Sequence, residues 1–179
     1  MTSDVHEYNK PDFNATQIES IARLELAAFS STRTLADRFE RIAGIGGEPN
    51  EKRFVIWKKK QAVAAARTFH RVIFVAGREL NVLALASVCT DPSCRGEGLG
   101  RLIVTAAFKD VESNKFDLSL FQTGVSEFYE KLNCRLIENE ILNRKSPESD
   151  PPFSDAHAMI YPSNYDWPEG TVDLNGDGY

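Results

Sequence analysis

Cysteine is scarce: only Cys89, Cys94 and Cys134 occur among the 179 residues. An odd number at scattered spacing argues against a disulfide framework or a zinc site, and makes a reducing cytoplasm the expected location. Apolar runs of membrane-spanning length are missing, and the opening Met1-Thr2-Ser3-Asp4-Val5-His6-Glu7 is too polar for a signal peptide, so no membrane partner is expected. Lys and Arg are missing from residues 146–179, which carry seven acidic residues. The net charge of −5 therefore lies in the tail, and residues 1–145 balance at +2. That distribution disfavours nucleic acid as a partner. It suits either a cationic ligand near the tail or plain solvation.

What is present is ordinary globular material, 42% hydrophobic and 26% charged, enough for one domain over residues 1–179 with a real core. No repeat or low-complexity tract occurs. A first strand is expected at 5–8. Asn14 reads as an N-cap for a helix bearing Ile18, Ile21, Leu24, Leu26 and Phe29, and Thr34 as the cap of a shorter helix ending near Gly44. The stretch Ile45-Gly46-Gly47-Glu48-Pro49-Asn50 reads as a loop. Strands are expected at 53–57, 62–75 and 79–90, with turns at Lys58-Lys59-Lys60 and Ala76-Gly77-Arg78. A helix with Leu102, Ile103, Ala106, Ala107 and Val111 on one face follows. Then come a strand at 116–121, a helix at 125–132, and two closing strands at 135–142 and 156–161 joined by a Pro- and Ser-rich loop at 146–154. The order β-αα-βββ-α-β-α-ββ implies an α/β fold in which a mixed sheet is flanked by helices.

Arg95-Gly96-Glu97-Gly98-Leu99-Gly100-Arg101 stands between an apolar strand and an amphipathic helix. Glycine lets the backbone curl so that several N–H groups point one way, and a helix start adds its dipole. A diphosphate cradle is the expectation. The P-loop pattern fails because Arg101-Leu102 follows the last glycine. The dinucleotide pattern fails because the glycines alternate and the loop sits mid-chain. An acyl-coenzyme A diphosphate site and a plain tight turn remain.

The run Val88-Cys89-Thr90-Asp91-Pro92-Ser93-Cys94-Arg95-Gly96-Glu97-Gly98-Leu99-Gly100 resembles the acetyl-coenzyme A motif of the GCN5-related N-acetyltransferase (GNAT) superfamily. Phe128-Tyr129-Glu130-Lys131-Leu132-Asn133-Cys134 resembles its second motif, with Asn133-Cys134 where that family usually has Gly-Phe. Asn tolerates the left-handed conformation that glycine would supply. The resemblance implies a GNAT-like acyl-CoA N-acyltransferase fold and acetyl-CoA as co-substrate. It further implies that the amides of Arg95, Gly96, Glu97, Gly98, Leu99, Gly100 and Arg101 hold the diphosphate. The main chain of Val88, Cys89 and Thr90 would pair with the pantetheine arm, and one strand N–H would polarise the acetyl carbonyl. A covalent acetyl-cysteine route lacks a local base.

Amine acetylation needs a base for the ammonium and an acid for the departing thiolate. The second motif makes Tyr129 the candidate acid, since tyrosine titrates at about 10 and a thiol at about 8.5; simple packing is the other reading. No carboxylate occurs in Leu83-Ala84-Leu85-Ala86-Ser87, so the base is open. His70 and His157 are more often structural. Asp155-Ala156-His157-Ala158-Met159-Ile160-Tyr161-Pro162 and the ending Gly176-Asp177-Gly178-Tyr179 resemble segments of the aminoglycoside 2′-N-acetyltransferases. The resemblance places Asp155, Asp177 and Tyr179 around substrate ammonium groups, with Tyr where that family has Trp. Asp173-Leu174-Asn175-Gly176-Asp177-Gly178 fits half of a calcium loop but lacks its bidentate Glu, so no metal is expected. The expected function is acetyl transfer from acetyl-CoA to the primary amine of a small cationic acceptor in a ternary complex. The alternatives are a CoA-binding sensor without turnover and a protein or peptide N-acetyltransferase. A homodimer is left open.

Overall fold

The computed structural model describes residues 4–9, 12–44, 48, 50–149 and 151–179. The expected loop at 45–50 lies largely outside them. By internal contacts the chain divides into two units, Met1–Phe69 with Ser87–Ala107 and His70–Ala86 with Phe108–Tyr179.

The first unit contains β1 (Val5–Asn9), α1 (Ala15–Ala28), α2 (Leu35–Ile42), β2 (Lys52–Lys58), the first part of β3 (Gln61–Val75), the last residues of β4 (Arg78–Thr90) and α3 (Leu99–Ala107). Both early helices start in capping boxes. Asn14 Oδ1 accepts from the Gln17 amide at 3.0 Å and Gln17 Oε1 from the Asn14 amide at 3.0 Å; Thr34 and Asp37 repeat the exchange at 3.2 and 2.7 Å. Each box satisfies two amides that a helix start otherwise orphans. The Thr34 hydrogen bonds hold the Asp37 carboxyl below its ordinary range. β1 pairs antiparallel with β2, Val5 opposite Ile56. β2 pairs antiparallel with β3, Phe54 opposite Ala66, around a turn in which Lys59 and Lys60 both have positive φ. That mirror-image turn matches the twist of a hairpin. The alanine-rich stretch of β3 is strand because it is paired and covered, as β-propensity is largely a matter of context. Ile18, Ile21, Ala22, Leu24, Ile42, Val55, Ala62, Ala65 and Cys89 form the core.

Two positions depart from the expected helix faces. Leu26 is 43% exposed while Glu25 is fully buried; the stripe from Ile18 through Ile21 and Ala22 continues at the 3.6-residue period to position 25. Leu102 is likewise 43% exposed, and Ile103, Val104, Ala106 and Ala107 carry the buried face of α3.

Glu25 is the centre of a buried ionic network. It takes hydrogen bonds from Arg38 at 3.4 Å, Arg53 at 3.2 Å, and Arg41. Arg53 also lies 2.8 Å from the buried Glu51, which accepts from Arg67 at 3.2 Å. A buried carboxylate persists only when paired this densely.

The second unit carries the rest of β3 and β4 with α4 (Lys109–Glu112), β5 (Leu118–Thr123), α5 (Ser126–Glu130), β6 (Arg135–Ile137), β7 (Ile141–Leu142), β8 (His157–Tyr161) and β9 (Val172–Asp173). β4 and β5 pair in parallel from Val82–Leu118 to Ala84–Leu120. β5 and β6 each pair antiparallel with β8, β9 pairs antiparallel with β3, and β7 joins β9 in parallel. The pairings are thus mostly antiparallel, as in the expected mixed α/β class. Ile73, Val75, Leu80, Val82, Leu118, Leu120, Ile137, Ile160, Val172 and Leu174 pack as the core. The expected strand at 135–142 is two short strands, and β9 is an element that periodicity did not suggest. Its Val172 and Leu174 amides are held by the carbonyls of Glu140 and Leu142, partners some thirty residues away.

Candidate functional site

The segment expected to cradle a diphosphate lies in the first unit. The Asp91 amide donates to the Val63 carbonyl at 2.8 Å, tying the end of β4 to β3. Asp91 Oδ1 accepts from the Ser93 amide at 2.8 Å and the Ser93 hydroxyl at 2.6 Å, which starts a single 3-10 turn at Pro92–Cys94. Gly96 and Gly98 then take φ of +84° and +78°, whereas Gly100 already lies inside α3. Two glycines, not three, therefore need left-handed backbone. A Cβ on Gly96 or Gly98 would meet nothing within 4 Å, so conformation rather than crowding calls for glycine there.

The amides of Cys94 and Leu102 donate to the Asp91 and Gly98 carbonyls. Among the described residues, the amides at 96–101 between them have no fold acceptor. Arg95, Gly96, Glu97, Gly98 and Arg101 are exposed. Open donors at the start of a nine-residue helix, flanked by two arginines, fit a diphosphate. Glu97 would oppose an anion, but Lys58 pairs with it, and that hydrogen bond holds the Lys58 ammonium above its ordinary pKa.

Upstream, Val88 and Thr90 are partly exposed and Cys89 is buried. Burial, with the Glu25 carboxylate next, pushes the Cys89 thiol far up, so it is protonated and inert. Cys134 is pushed up to about 12 by burial. Ser87, inside β4, has φ of +52°, a strained value for a non-glycine residue in a strand.

The second unit carries Tyr129 and the tail. Tyr129 is 5% exposed, on α5, with its ring 4.6 Å from that of Phe121 and 4.9 Å from that of Phe128, the latter edge-on. Such packing fixes the direction of its hydroxyl. Asn133 has φ of +63°, as its glycine-like position requires. Its carbonyl and side-chain oxygens also accept from the Ser163 amide at 2.7 Å and hydroxyl at 2.5 Å. His70 shares a 3.0 Å hydrogen bond with Asn81 and lies 5.5 Å from the Phe116 ring, a structural setting. His157 opens β8.

Gln122 of β5 gathers the tail. Its Oε1 accepts from the Ser154 and Asp155 amides at 2.8 and 2.7 Å, and its Nε2 donates to the Tyr179 carbonyl at 2.7 Å. The Asp155 and Asp177 side chains are exposed, and Asn143 donates to Asp177 Oδ1 at 3.3 Å. Arg71 inserts among these groups. It donates to the Asp177 carbonyl at 3.0 Å and sits 5.5 Å over the Tyr179 ring. The tail, free of basic residues in sequence, thus has a buried guanidinium in space. A Cβ at Gly176 would overlap the Arg71 guanidinium, and one at Gly178 the Pro152 carbonyl, so the tail needs glycine for close approach. Arg41, Arg67 and Ser87 also form a polar cluster that the motifs did not indicate. The available signal was an arginine inside the apolar run of β3.

Residues 12–137 match the family model described as an acetyltransferase (GNAT) domain; the tail lies outside the match. No curated protein matches. Escherichia coli ElaA is similar with a TM-score of 0.60 and 15% identity, over 89% of this chain and 99% of that one. An acetyltransferase of the GNAT family from Staphylococcus aureus Mu50 is similar at 0.60 and 13%, over 88% and 98%. A GCN5-related N-acetyltransferase from Kribbella flavida is similar at 0.57 and 19%, over 75% of this chain but only 34% of its own length. The chain thus spans about a third of several larger structural relatives. At these identities the structures speak to the fold, and the family model, covering well over half of the chain, decides membership: the chain belongs to the GNAT acetyltransferase family.

Proposed function

We propose that this chain transfers an acetyl group from acetyl-CoA to the primary amine of a small, cationic acceptor, directly and without an acyl-enzyme. The observation that carries the reading is the row of open amides at 96–101 between Arg95 and Arg101. In the reaction the amine nitrogen bonds to the thioester carbonyl carbon, the carbon–sulfur bond breaks, and an amide and a free thiol result. Residues 95–101 hold the diphosphate, and the main chain of Val88, Cys89 and Thr90 lines the pantetheine arm and supplies the N–H that polarises the carbonyl. The proton for the departing thiolate is assigned to Tyr129, because an ordinary phenol titrates at about 10 and holds its proton at neutral pH. The ammonium proton leaves to water. The protonated, buried Cys89 supports direct transfer over a thioester on the enzyme.

The cationic character of the acceptor rests on Asp155 and Asp177, exposed carboxylates on segments anchored by Gln122 and Arg71. Calorimetry with acetyl-CoA and a thiol-release assay over a panel of polyamines, aminoglycosides, amino acids and peptides test the reading. Binding with release on small cationic amines is expected. Failure of acetyl-CoA to bind the folded protein would overturn it.

A further inference from the structure

The ionic network of the first unit is unbalanced. Arg38, Arg41, Arg53 and Arg67 share two carboxylates, Glu25 and Glu51. Among the described residues, the buried Nε atoms of Arg38, Arg41 and Arg53 have no hydrogen-bond partner. Uncompensated guanidinium charge out of water is costly. The strain is visible at Arg41, brought down to about 10 chiefly by burial and then by Arg67 and Arg53, with Glu25 opposing. Burial likewise lowers Arg67.

The excess converges on one place. Arg41 Nη1 lies 3.3 Å and Arg67 Nε 3.4 Å from the same neutral Ser87 hydroxyl oxygen. Two cations share an acceptor at long range where a charged one would bind both closely. Ser87 is partly exposed, and the Arg41 side chain is 16% exposed while its carboxylate partner Glu25 is wholly buried. Ser87 also holds its left-handed backbone at this point of β4.

We propose that Arg41, Arg67 and Ser87 form a subsite for a carboxylate group, carried by the amine acceptor or by a free small acid. The first source rests on the amine-acetylating reading above; the second does not. Ser87→Asp supplies the missing charge internally, because Asp enters the left-handed region more readily than most residues. Arg67→Lys is the second variant, keeping the charge toward Glu51 but losing the planar fork.

The test has a binding arm and a turnover arm. Melting temperature is followed while acetate replaces chloride at constant ionic strength. Rates are compared for lysine against cadaverine and ornithine against putrescine, pairs that differ only in the carboxylate. A saturable rise in Tm for wild type, lost in Ser87→Asp and weakened in Arg67→Lys, is expected. A preference of about tenfold or more in kcat/KM for the amino acid, the order of one hydrogen-bonded charge, assigns the carboxylate to the acceptor. No preference with the Tm rise intact assigns it to a free acid. A Tm rise with no amine acetylated keeps the subsite and discards the amine reading. No saturable rise and no preference, or a rise undiminished in both variants, overturns the proposal.

Discussion

Gln122 Nε2 donates to the Tyr179 carbonyl at 2.7 Å. The same carboxamide accepts the Asp155 amide, so one side chain on a strand fixes two segments 24 residues apart in number. Gln122→Ala removes these two bonds and the one from the Ser154 amide, at about 1–3 kcal/mol. Hydrogen exchange at 154–155 and 175–179 should quicken while β5 stays protected. KM for a cationic amine should rise with little change in kcat. An unchanged KM would remove the tail from acceptor binding.

Gly98→Ala should separate the cradle from the fold. The added Cβ meets nothing, but φ of +78° costs an L residue about 1–2 kcal/mol. The melting temperature should fall slightly, while acetyl-CoA binding by calorimetry should weaken by about tenfold or more as the amides tilt away. Unaltered affinity would show that this turn does not grip the diphosphate.

Tyr129→Phe keeps the ring that Phe121 and Phe128 hold and removes only the hydroxyl. Loss of a general acid predicts a fall in kcat of about 10²-fold or more with acetyl-CoA affinity retained. A kcat within about twofold of wild type would leave Tyr129 a packing residue.

Glu25→Ala should be among the most destabilising single changes in the chain. It strips Arg38 and Arg41 of their carboxylate and leaves Arg53 only Glu51, at about 3–5 kcal/mol for a broken buried pair. Urea unfolding followed by fluorescence measures it, and a loss below about 1 kcal/mol would contradict the network.

The three thiols should differ toward a disulfide reagent at pH 8. Burial raises the pKa of Cys89 and Cys134 and keeps them protonated and covered, so they should react only on unfolding. Cys94, partly exposed just before the glycine turn, should react in the native protein, and acetyl-CoA should slow it if that turn holds the diphosphate. Fast native reaction of Cys89 would overturn its burial.

Sequence alone determined what acts within a few residues. The Asn14 and Thr34 caps, the left-handed Asn133 and the exposed glycine turn were legible because each depends on local backbone chemistry. Tertiary structure decided the rest. Helical period turns position 25 inward, but Glu25 stays buried there as a carboxylate only because three arginines from α2 and β2 meet it. β9 exists because Glu140, Leu142 and β3 offer it partners, and the acidic tail acquires Arg71 from β3. A cap answers to its own turn, but a buried charge or a two-residue strand has no stable state until distant chain supplies its counterpart.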